Sequence, residues 1–218
     1  MTAAHDPAAF IRANTLVQSH VLVPEIRLHL ADKITPIWTA SEQALEEIGI
    51  EPPYWAFVWP GGAATARFIL DRPELVSGRP VLDLAAGSGI AAIAAAMAGA
   101  ASVTAAEIDA SARAAIALNA ALNDVALGIS EGDPLAGAPP GDTLILAGDV
   151  CYQRDMAERV LAWLHRARAA GLEVWLADPG RAYLPKTGIA EMARIGVPTS
   201  LELEDRNFRE TVLYRLTG

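Results

Sequence analysis

Helical and extended hydrophobic patterns alternate along most of this chain. Short apolar runs predict strands at 80–84, 102–106, 126–130, 143–147 and 172–177. Segments with a helical spacing of apolar residues lie before and between them, at 63–71, 90–98, 110–122 and 154–170. Such repeated alternation indicates a mostly parallel sheet with helices on both faces.

The C-terminal part of the chain departs from this pattern. We expect a helix at 187–195, followed by strands near 199–204 and 210–216. The connection between the last two strands is so short that it forces an antiparallel hairpin. The predicted fold class is therefore α/β. It is a Rossmann-like sheet of seven strands, mostly parallel, with a C-terminal antiparallel hairpin and helices on both faces.

The first 60 residues precede this alternation. A helix is predicted over 7–20, and the alternating segment 25–30 predicts a half-buried strand. A short helix is expected over 41–49. We interpret residues 1–60 as an extension packed on a single globular domain at 61–218.

Composition narrows the range of partners. The 218 residues include 17 basic and 26 acidic side chains, for a net charge of −9. Non-specific nucleic-acid binding depends on phosphate neutralisation by Lys and Arg, so we expect a protein or small-molecule substrate and no nucleic acid. The single cysteine, Cys151, excludes an intramolecular disulfide and a cysteine metal cluster, and it suits a reducing cytoplasm.

Neither a membrane span nor a metal site is predicted. Residues 1–10 lack the basic and apolar regions of a secretory signal. The longest apolar run, 90–101, is too short and too rich in Gly and Ala to cross a bilayer. The four histidines are scattered, without a spacing typical of metal ligands.

The strongest chemical signal is the stretch Val-Leu-Asp-Leu-Ala-Ala-Gly-Ser-Gly at 81–89. An apolar strand leads into a loop whose glycines let the backbone approach a ligand closely, and a helix follows. Glu107 ends the next strand, where an acid accepts hydrogen bonds from ribose hydroxyls. The pattern therefore predicts a nucleotide-type site. Its loop residues are Ala85, Gly87, Ser88 and Gly89.

Asp83 decides between two types of cofactor. Residues 87–92 also satisfy the G-x-G-x-x-A pattern of dinucleotide sites, but a carboxylate beside a pyrophosphate is unfavourable. S-adenosylmethionine carries a sulfonium and an ammonium, so Asp83 favours it over NAD. The alternative without a ligand is a glycine turn in which Asp83 is a solvated strand end.

Three further residues are candidates for cofactor binding. Trp59 precedes a rigid Pro-Gly-Gly turn and can present its indole face to an adenine, although core packing is the alternative. Ile108 follows the ribose-binding acid. Asp133 is placed either to accept from an adenine amino group or to stabilise a turn. Asp109 is equally well explained as the N-cap of the next helix.

Asp149 and Tyr152 follow the strand at 143–147. Ligands in open α/β sheets bind beyond the carboxyl ends of strands, near the point where strand order reverses. We expect this strand beside the one that carries Asp83, so that Asp149 and Tyr152 face a transferable methyl group. A carboxylate can hold an ammonium, and a tyrosine ring can face it. The alternative for Asp149 is a cap of the helix that starts near Arg154, and Cys151 is expected to be a packed small residue.

Asp178 and Arg181 end the following strand in the sequence Asp-Pro-Gly-Arg. Two interpretations stay open at this point. The two side chains either form a structural ion pair or line the entrance for the substrate. Both residues are therefore kept as candidates for substrate binding.

Four motifs together resemble the electron-transfer-flavoprotein beta-subunit lysine methyltransferases, which are seven-stranded protein-lysine methyltransferases with a D-x-x-Y motif. They are Tyr54–Gly62 (YWAFVWPGG), Leu82–Gly89 (LDLAAGSG), Asp149–Tyr152 (DVCY) and Asp178–Arg181 (DPGR). Very many methyltransferases share the glycine motif, whereas the combination is much more specific. Nucleic-acid amino-methyltransferases would be expected to show Asn- or Asp-Pro-Pro-Tyr where this chain has Asp-Val-Cys-Tyr at 149–152, so this motif argues against them. The resemblance covers roughly residues 20–218.

This resemblance implies S-adenosylmethionine-dependent N-methylation of protein lysines. In that family the glycine loop and the acid after the second strand bind the cofactor, and the D-x-x-Y residues lie at the lysine site. The resemblance alone supplies the beta subunit of electron-transfer flavoprotein as the suspected partner, with a ribosomal protein as a second protein substrate. Three alternatives stay open: a small-molecule N-methyltransferase, a non-catalytic cofactor-binding protein and an NAD-dependent oxidoreductase.

Overall fold

The first described residues form a helix and a small two-stranded sheet. The computed structural model of the protein describes residues 6–32, 53–200 and 204–217. Helix α1 spans Pro7–Asn14, and strands β1 (Leu16–His20) and β2 (Val23–Leu30) pair antiparallel. The strand expected at 25–30 is therefore confirmed, while the short helix expected over 41–49 lies outside the described residues.

The helix expected over 7–20 is wrong beyond Asn14. Thr15 turns to extended backbone, and its hydroxyl donates to the carbonyl of Ile11 at 2.6 Å. Its side chain also lies 3.0 Å from Nδ1 of His29 on β2. Leu16 and the residues after it form β1, since pairing with β2 replaces continued helical hydrogen bonds.

The main sheet has seven strands. They are β3 (Pro80–Leu84), β4 (Ser102–Ala106), β5 (Gly128–Ser130), β6 (Leu144–Gly148), β7 (Val174–Asp178), β8 (Ile189–Pro198) and β9 (Phe208–Leu216). Their order across the sheet is β5-β4-β3-β6-β7-β9-β8. Pairing is parallel from β5 to β7, and β9 is antiparallel to both of its neighbours. The predicted fold class is confirmed.

Among the described residues, four longer helices pack on this sheet. They are α2 (Pro60–Asp71), α3 (Ile90–Met97), α4 (Ala110–Leu122) and α5 (Arg154–Ala169). Leu144 and Leu146 of β6 join the core that contains α2 and α3, whereas Ile145 joins the core that contains α5. Alternate residues of one strand are therefore buried on opposite faces, which explains its continuous apolar run. No described helix is long and apolar enough to cross a membrane.

The C-terminal hairpin is built from other residues than predicted. The helix expected at 187–195 is wrong because Ile189–Pro198 forms β8. Of the strand expected at 199–204, residues 199, 200 and 204 are not extended strand, and 201–203 lie outside the described residues. Register shifts between Glu191 and Ala193, so Met192 is an extra residue that interrupts the alternation of an extended strand. The interruption gives the apolar residues a helix-like spacing, and pairing with β9 decides the structure.

The order of strands opens a site at one edge of the sheet. From β3 the chain moves outward through β4 to β5, and it then returns to place β6 on the other side of β3. The carboxyl ends of β3 and β6 are thus neighbours at the point where strand order reverses, which is where open α/β sheets bind ligands.

Candidate active site

A cleft of about 1160 Å³ lies at this edge of the sheet. The loop after β3, the ends of β4 and β6, and the first turns of α2 and α5 line it. The cleft brings together nearly all the predicted site residues. They are Trp59, Asp83, Ala85, Gly87, Ser88, Glu107, Ile108, Asp133, Asp149, Tyr152 and Arg181.

The glycine loop after β3 has a left-handed backbone at both of its glycines. Gly87 and Gly89 have φ values of 54° and 79°, and Gly89 is the N-cap of α3. Ala85 also has a positive φ, 56°, which the sequence did not indicate because alanine rarely adopts it. The buried amide of Asn119 donates to the carbonyl of Ser88 at 2.9 Å, so α4 holds the loop in place.

Asp83 is buried below this loop, with 4% of its surface exposed. Its Oδ2 accepts a hydrogen bond from the backbone amide of Ala92 in α3 at 3.0 Å. Burial raises the pKa of the Asp83 carboxyl to about 7 against this hydrogen bond, and the charge of Glu107 adds to the rise. A solvated strand end is thereby excluded, and the site has a carboxyl whose charge responds to a cationic ligand.

Glu107 connects the end of β4 to the glycine loop. Its Oε2 accepts from the amide of Gly87 at 3.0 Å, and its Oε1 accepts from the amide of Ile108 at 2.8 Å. The side chain of Ile108 is 67% exposed and provides apolar surface along the cleft. Asp109 is the N-cap of α4 and accepts from the amide of Ser111, so the capping interpretation is confirmed.

Asp133 stabilises a turn at the rim of the cleft. Its Oδ1 accepts from the amide of Leu135 at 2.9 Å, which caps the short 3₁₀ helix Pro134–Ala136. Its Oδ2 pairs with Arg159 of α5 at 2.6 Å. The turn interpretation is confirmed, and Asp133 also lines the cleft.

Aromatic residues form one wall of the cleft. The indole nitrogen of Trp59 donates to the carbonyl of Tyr54 at 2.8 Å, and their ring centroids are 5.8 Å apart. The ring of Tyr54 lies 6.0 Å from that of Tyr152. Sequence reasoning did not single out Tyr54 as a site residue, because the aromatic cluster that contains it does not show which rings face solvent.

Asp149 lies against the start of helix α2. Its Oδ2 accepts from the backbone amides of Gly61 and Gly62 at 2.6 and 3.1 Å. Helix α5 begins instead after Gln153 and has no side-chain cap, so the expected alternative of an α5 cap is wrong. A Cβ on Gly61 would lie 2.6 Å from Asp149 Oδ2, which explains why glycine stands at that position.

The charge of Asp149 is set by burial and by charged neighbours. Burial raises the pKa of its carboxyl to about 7, Arg181 opposes the rise, and Asp178 adds to it. Its buried Oδ1 has no hydrogen-bond partner among the described residues. Cys151 is fully buried, and burial raises the pKa of its thiol to about 12, which confirms a packed residue rather than a nucleophile.

Asp178 and Arg181 have different roles in the structure. Asp178 is fully buried, and its Oδ1 accepts from the amides of Gly180 and Arg181 at 2.7 and 2.6 Å. It fixes the loop and is not part of the cleft lining, which argues against direct contact with a substrate. The Arg181 side chain lines the cleft and pairs with Glu204, a buried acid that sequence reasoning missed.

The cleft thus has two chemically different ends. Near the β3 loop, Asp83 and Glu107 suit a ligand that carries positive charge and ribose hydroxyls. Near the end of β6, an oriented carboxylate and aromatic rings suit an amine that must be held in one position. This arrangement fits transfer of a group between two bound molecules.

Comparisons with known proteins agree with this chemistry. A family model described as "Ribosomal protein L11 methyltransferase (PrmA)" matches residues 33–136. The electron transfer flavoprotein beta subunit lysine methyltransferase of Xenopus laevis is 42% identical over 183 residues, covering 83% of this chain and 73% of that protein. The Danio rerio protein of the same name is 36% identical over 213 residues, covering 94% and 81%.

Solved structures support the fold. A putative RNA methyltransferase from Pyrococcus horikoshii aligns with a TM-score of 0.56 at 16% identity, covering 76% of this chain and 87% of that chain. A ribosomal protein L11 methylase from Lactobacillus delbrueckii subsp. bulgaricus aligns with a TM-score of 0.50 at 23% identity, covering 71% and 78%. From its similarity to the Xenopus and Danio proteins, the chain belongs to the electron transfer flavoprotein beta subunit lysine methyltransferase family.

Proposed function

We propose that this protein methylates lysine side chains of the beta subunit of electron transfer flavoprotein, with S-adenosylmethionine as the methyl donor. The family supplies the substrate, since the relatives are named for it. The structural observation that carries the proposal is the environment of the two carboxylate oxygens of Asp149. One of its oxygens is fixed by two backbone amides, and the other has no hydrogen-bond partner among the described residues in the cleft shared with Asp83.

The cofactor end of the cleft fits the donor. Asp83 would hold a cationic part of the molecule, and Glu107 would accept from the ribose hydroxyls. The loop Ala85, Gly87, Ser88 and Gly89 would approach it through backbone. Ile108, Asp133 and Trp59 are the proposed contacts of the adenine. When bound, S-adenosylmethionine supplies a methyl group activated by a sulfonium.

The amine end fits a lysine. A lysine at neutral pH is an ammonium, since its reference pKa is about 10.4. Asp149 would accept a hydrogen bond from this ammonium at Oδ1 and so orient the nitrogen. The carboxylate also favours the protonated amine, so Asp149 is a positioning acid rather than a strong base, and the proton leaves to water. The ring and hydroxyl of Tyr152 complete the lysine site.

Methyl transfer to purified candidates tests this function. The protein is incubated with radiolabelled cofactor and, separately, with an electron transfer flavoprotein beta subunit, a ribosomal protein L11, bulk RNA and a small-molecule extract. We expect label only in the beta subunit, and mass spectrometry should place it on lysine. Label in RNA or in small molecules, with none in protein, would overturn the proposal. Asp149→Asn protein serves as the control for adventitious methylation.

A further inference from the structure

Arg181 lies between two acids in the wall of the cleft. Its Nη2 pairs with Oε1 of Glu204 and lies 3.8 Å from Oδ1 of Asp149. We propose that Glu204 is a positioning residue that holds the Arg181 guanidinium back from Asp149, so that this oxygen stays available to the ammonium of the incoming lysine. The inference rests on the proposed function and names a residue that acts on its lysine site.

Arg181 lies close to Asp149 without forming a hydrogen bond to it. At 3.8 Å the guanidinium is within ion-pair distance of Oδ1 but beyond hydrogen-bond range, and this oxygen has no hydrogen-bond partner among the described residues. An unrestrained arginine beside a buried carboxylate is expected to form two parallel hydrogen bonds with it. Another contact must therefore keep Arg181 from forming these hydrogen bonds with Asp149.

Arg181 is restrained at both ends. Its backbone amide donates to Asp178 Oδ1 at 2.6 Å, which fixes the start of the side chain. Its guanidinium is bound by Glu204, whose side chain is 2% exposed. Since the backbone contact leaves the long side chain free to turn, Glu204 is the group that decides where the charge sits.

Glu204 is itself anchored. Its Oε2 accepts from Nε of Arg209 at 3.0 Å, and Nη2 of Arg209 donates to its backbone carbonyl at 2.9 Å. Arg209 belongs to β9, so the acid is tied to the sheet rather than only to its own loop. An acid held in this way can compete with Asp149 for Arg181.

At this wall of the cleft the described acids outnumber the arginines. Three acids, Asp149, Asp178 and Glu204, face two arginines, Arg181 and Arg209. Burial raises the pKa of Asp149 and of Asp178, which relieves this excess of acid in the free protein; with all three carboxylates ionised, the described cluster would be short of one positive charge. A lysine ammonium at Asp149 would supply it, provided that Arg181 does not occupy the same oxygen.

Steady-state kinetics of methyl transfer to the beta subunit tests the role of Glu204. Glu204→Gln removes the negative charge that holds the guanidinium, so Arg181 should move toward the carboxylate of Asp149 and block the lysine. We expect KM for the protein substrate to rise about tenfold or more, with KM for the cofactor within about threefold of the parent value. Glu191→Gln removes an exposed ion pair with Arg194 on the same hairpin and should leave both constants unchanged.

A double variant separates positioning from stability. If Glu204 acts only by restraining Arg181, then Glu204→Gln should add nothing to Arg181→Gln, and KM of the double variant should match that of Arg181→Gln within about threefold. A purely structural role for Glu204 predicts instead a loss of active protein, seen as lower kcat and melting temperature with KM unchanged. Arg209→Lys weakens the anchor of Glu204 and is the second variant if Glu204→Gln does not fold. It should raise KM in the same direction.

The outcomes separate the two proposals. An active parent enzyme whose Glu204→Gln and Arg209→Lys variants keep the parent KM for protein substrate would overturn the positioning role alone. A parent enzyme that transfers no methyl group to the beta subunit would overturn the proposed function and this inference with it.

Discussion

Asp149 and Gly61 meet at 2.6 Å, between the carboxylate Oδ2 and the backbone amide at the start of α2. The contact joins two motifs that are far apart in sequence, Trp-Pro-Gly-Gly and Asp-Val-Cys-Tyr. The partial positive charge of the helix start favours the ionised carboxylate, and the amides fix its orientation. Gly61 thus allows the carboxylate to approach the helix, since a side chain at this position would collide with Asp149.

Gly61→Ala should disrupt the site far more than Gly62→Ala. A Cβ on Gly61 would lie 2.6 Å from Asp149 Oδ2 and 2.7 Å from the carbonyl of Ala177, whereas on Gly62 it would meet only Ile90 Cγ2 at 3.2 Å. We expect Gly61→Ala to lower the melting temperature and to slow methyl transfer about a hundredfold, because a shift of about 1 Å in a reacting group has that effect. Melting curves and single-turnover rates for both variants check this, and equal rates would contradict it.

The sequence predicted those elements whose signal is local. Strand 102–106 and helix 110–122 match β4 and α4, because an apolar run is bounded by turn residues and Asp109 caps the helix. The segment at 189–198 was predicted wrongly, because the bulge at Met192 breaks the period of two and the pairing with β9 is remote in sequence. Such pairing overrides local propensity.

In the candidate site, too, residues with a local sequence signal were predicted and contacts between remote segments were not. Most of the predicted cleft residues were recognisable because they lie at or just after the end of a strand, and the topology brings such ends together; Trp59 was instead predicted from the turn that follows it. The contact of Asp149 with Gly61 could not be predicted, because no local pattern in the sequence shows that a helix start 88 residues earlier packs against this acid. Glu204 was also missed, because a single acid near a turn looks like a solvated residue until its burial is known.

Cofactor affinity should depend on pH through Asp83. Its pKa is raised to about 7, so the carboxyl of the free protein is mostly protonated at pH 6. A cationic cofactor favours the ionised form, so binding should release a proton and affinity should rise, by up to about tenfold per pH unit, until pH 7 is passed. Calorimetry between pH 5.5 and 8.5 in buffers of different ionisation enthalpy measures both effects. Asp83→Asn should bind more weakly with little pH dependence, and a parent affinity that does not change with pH would exclude this role.

The free energy of unfolding of the cofactor-free protein should also depend on pH through Asp83. The pKa of Asp83 is raised from 3.8 to about 7 in the folded protein, so the folded state binds the proton more tightly than the unfolded state. Its stabilising contribution is therefore complete below pH 4 and is lost as pH rises through 7. Denaturant unfolding without cofactor should show that the free energy of unfolding of the parent falls more steeply between pH 4.5 and 7.5 than that of Asp83→Asn. Parallel curves would show that Asp83 does not titrate in this range.

Glu107 and Asp109 form a matched pair for separating cofactor binding from folding. Glu107→Ala removes the acceptor proposed for the ribose hydroxyls and the contact to Gly87, so cofactor affinity should fall about tenfold or more. Asp109→Ala removes an N-cap and should cost about 1 kcal/mol of stability with affinity nearly unchanged. Titration calorimetry and melting on the two proteins give both quantities. Equal losses of affinity would mean that Glu107 acts only by holding the loop.

Asp149→Asn tests the centre of the proposed mechanism. The substitution keeps the shape of the side chain, and its amide oxygen can still accept from Gly61 and Gly62. It removes the negative charge that holds the lysine ammonium. Methyl transfer should therefore fall by orders of magnitude, with cofactor affinity within a few-fold of the parent value. Tyr152→Phe should be milder, because the ring face remains.

The pH profile of single-turnover transfer, with cofactor saturating, gives the sharpest version of this test. Burial raises the pKa of Asp149 to about 7, so the parent rate should increase as pH rises through 7, where the carboxyl becomes ionised. Asp149→Asn should lose that step and keep only the rise due to deprotonation of the lysine itself. A structural role confined to the start of α2 predicts a lower melting temperature with the parent profile retained. If Asp149→Asn transfers methyl at the parent rate, the carboxylate only stabilises the helix and the lysine must be held by other groups.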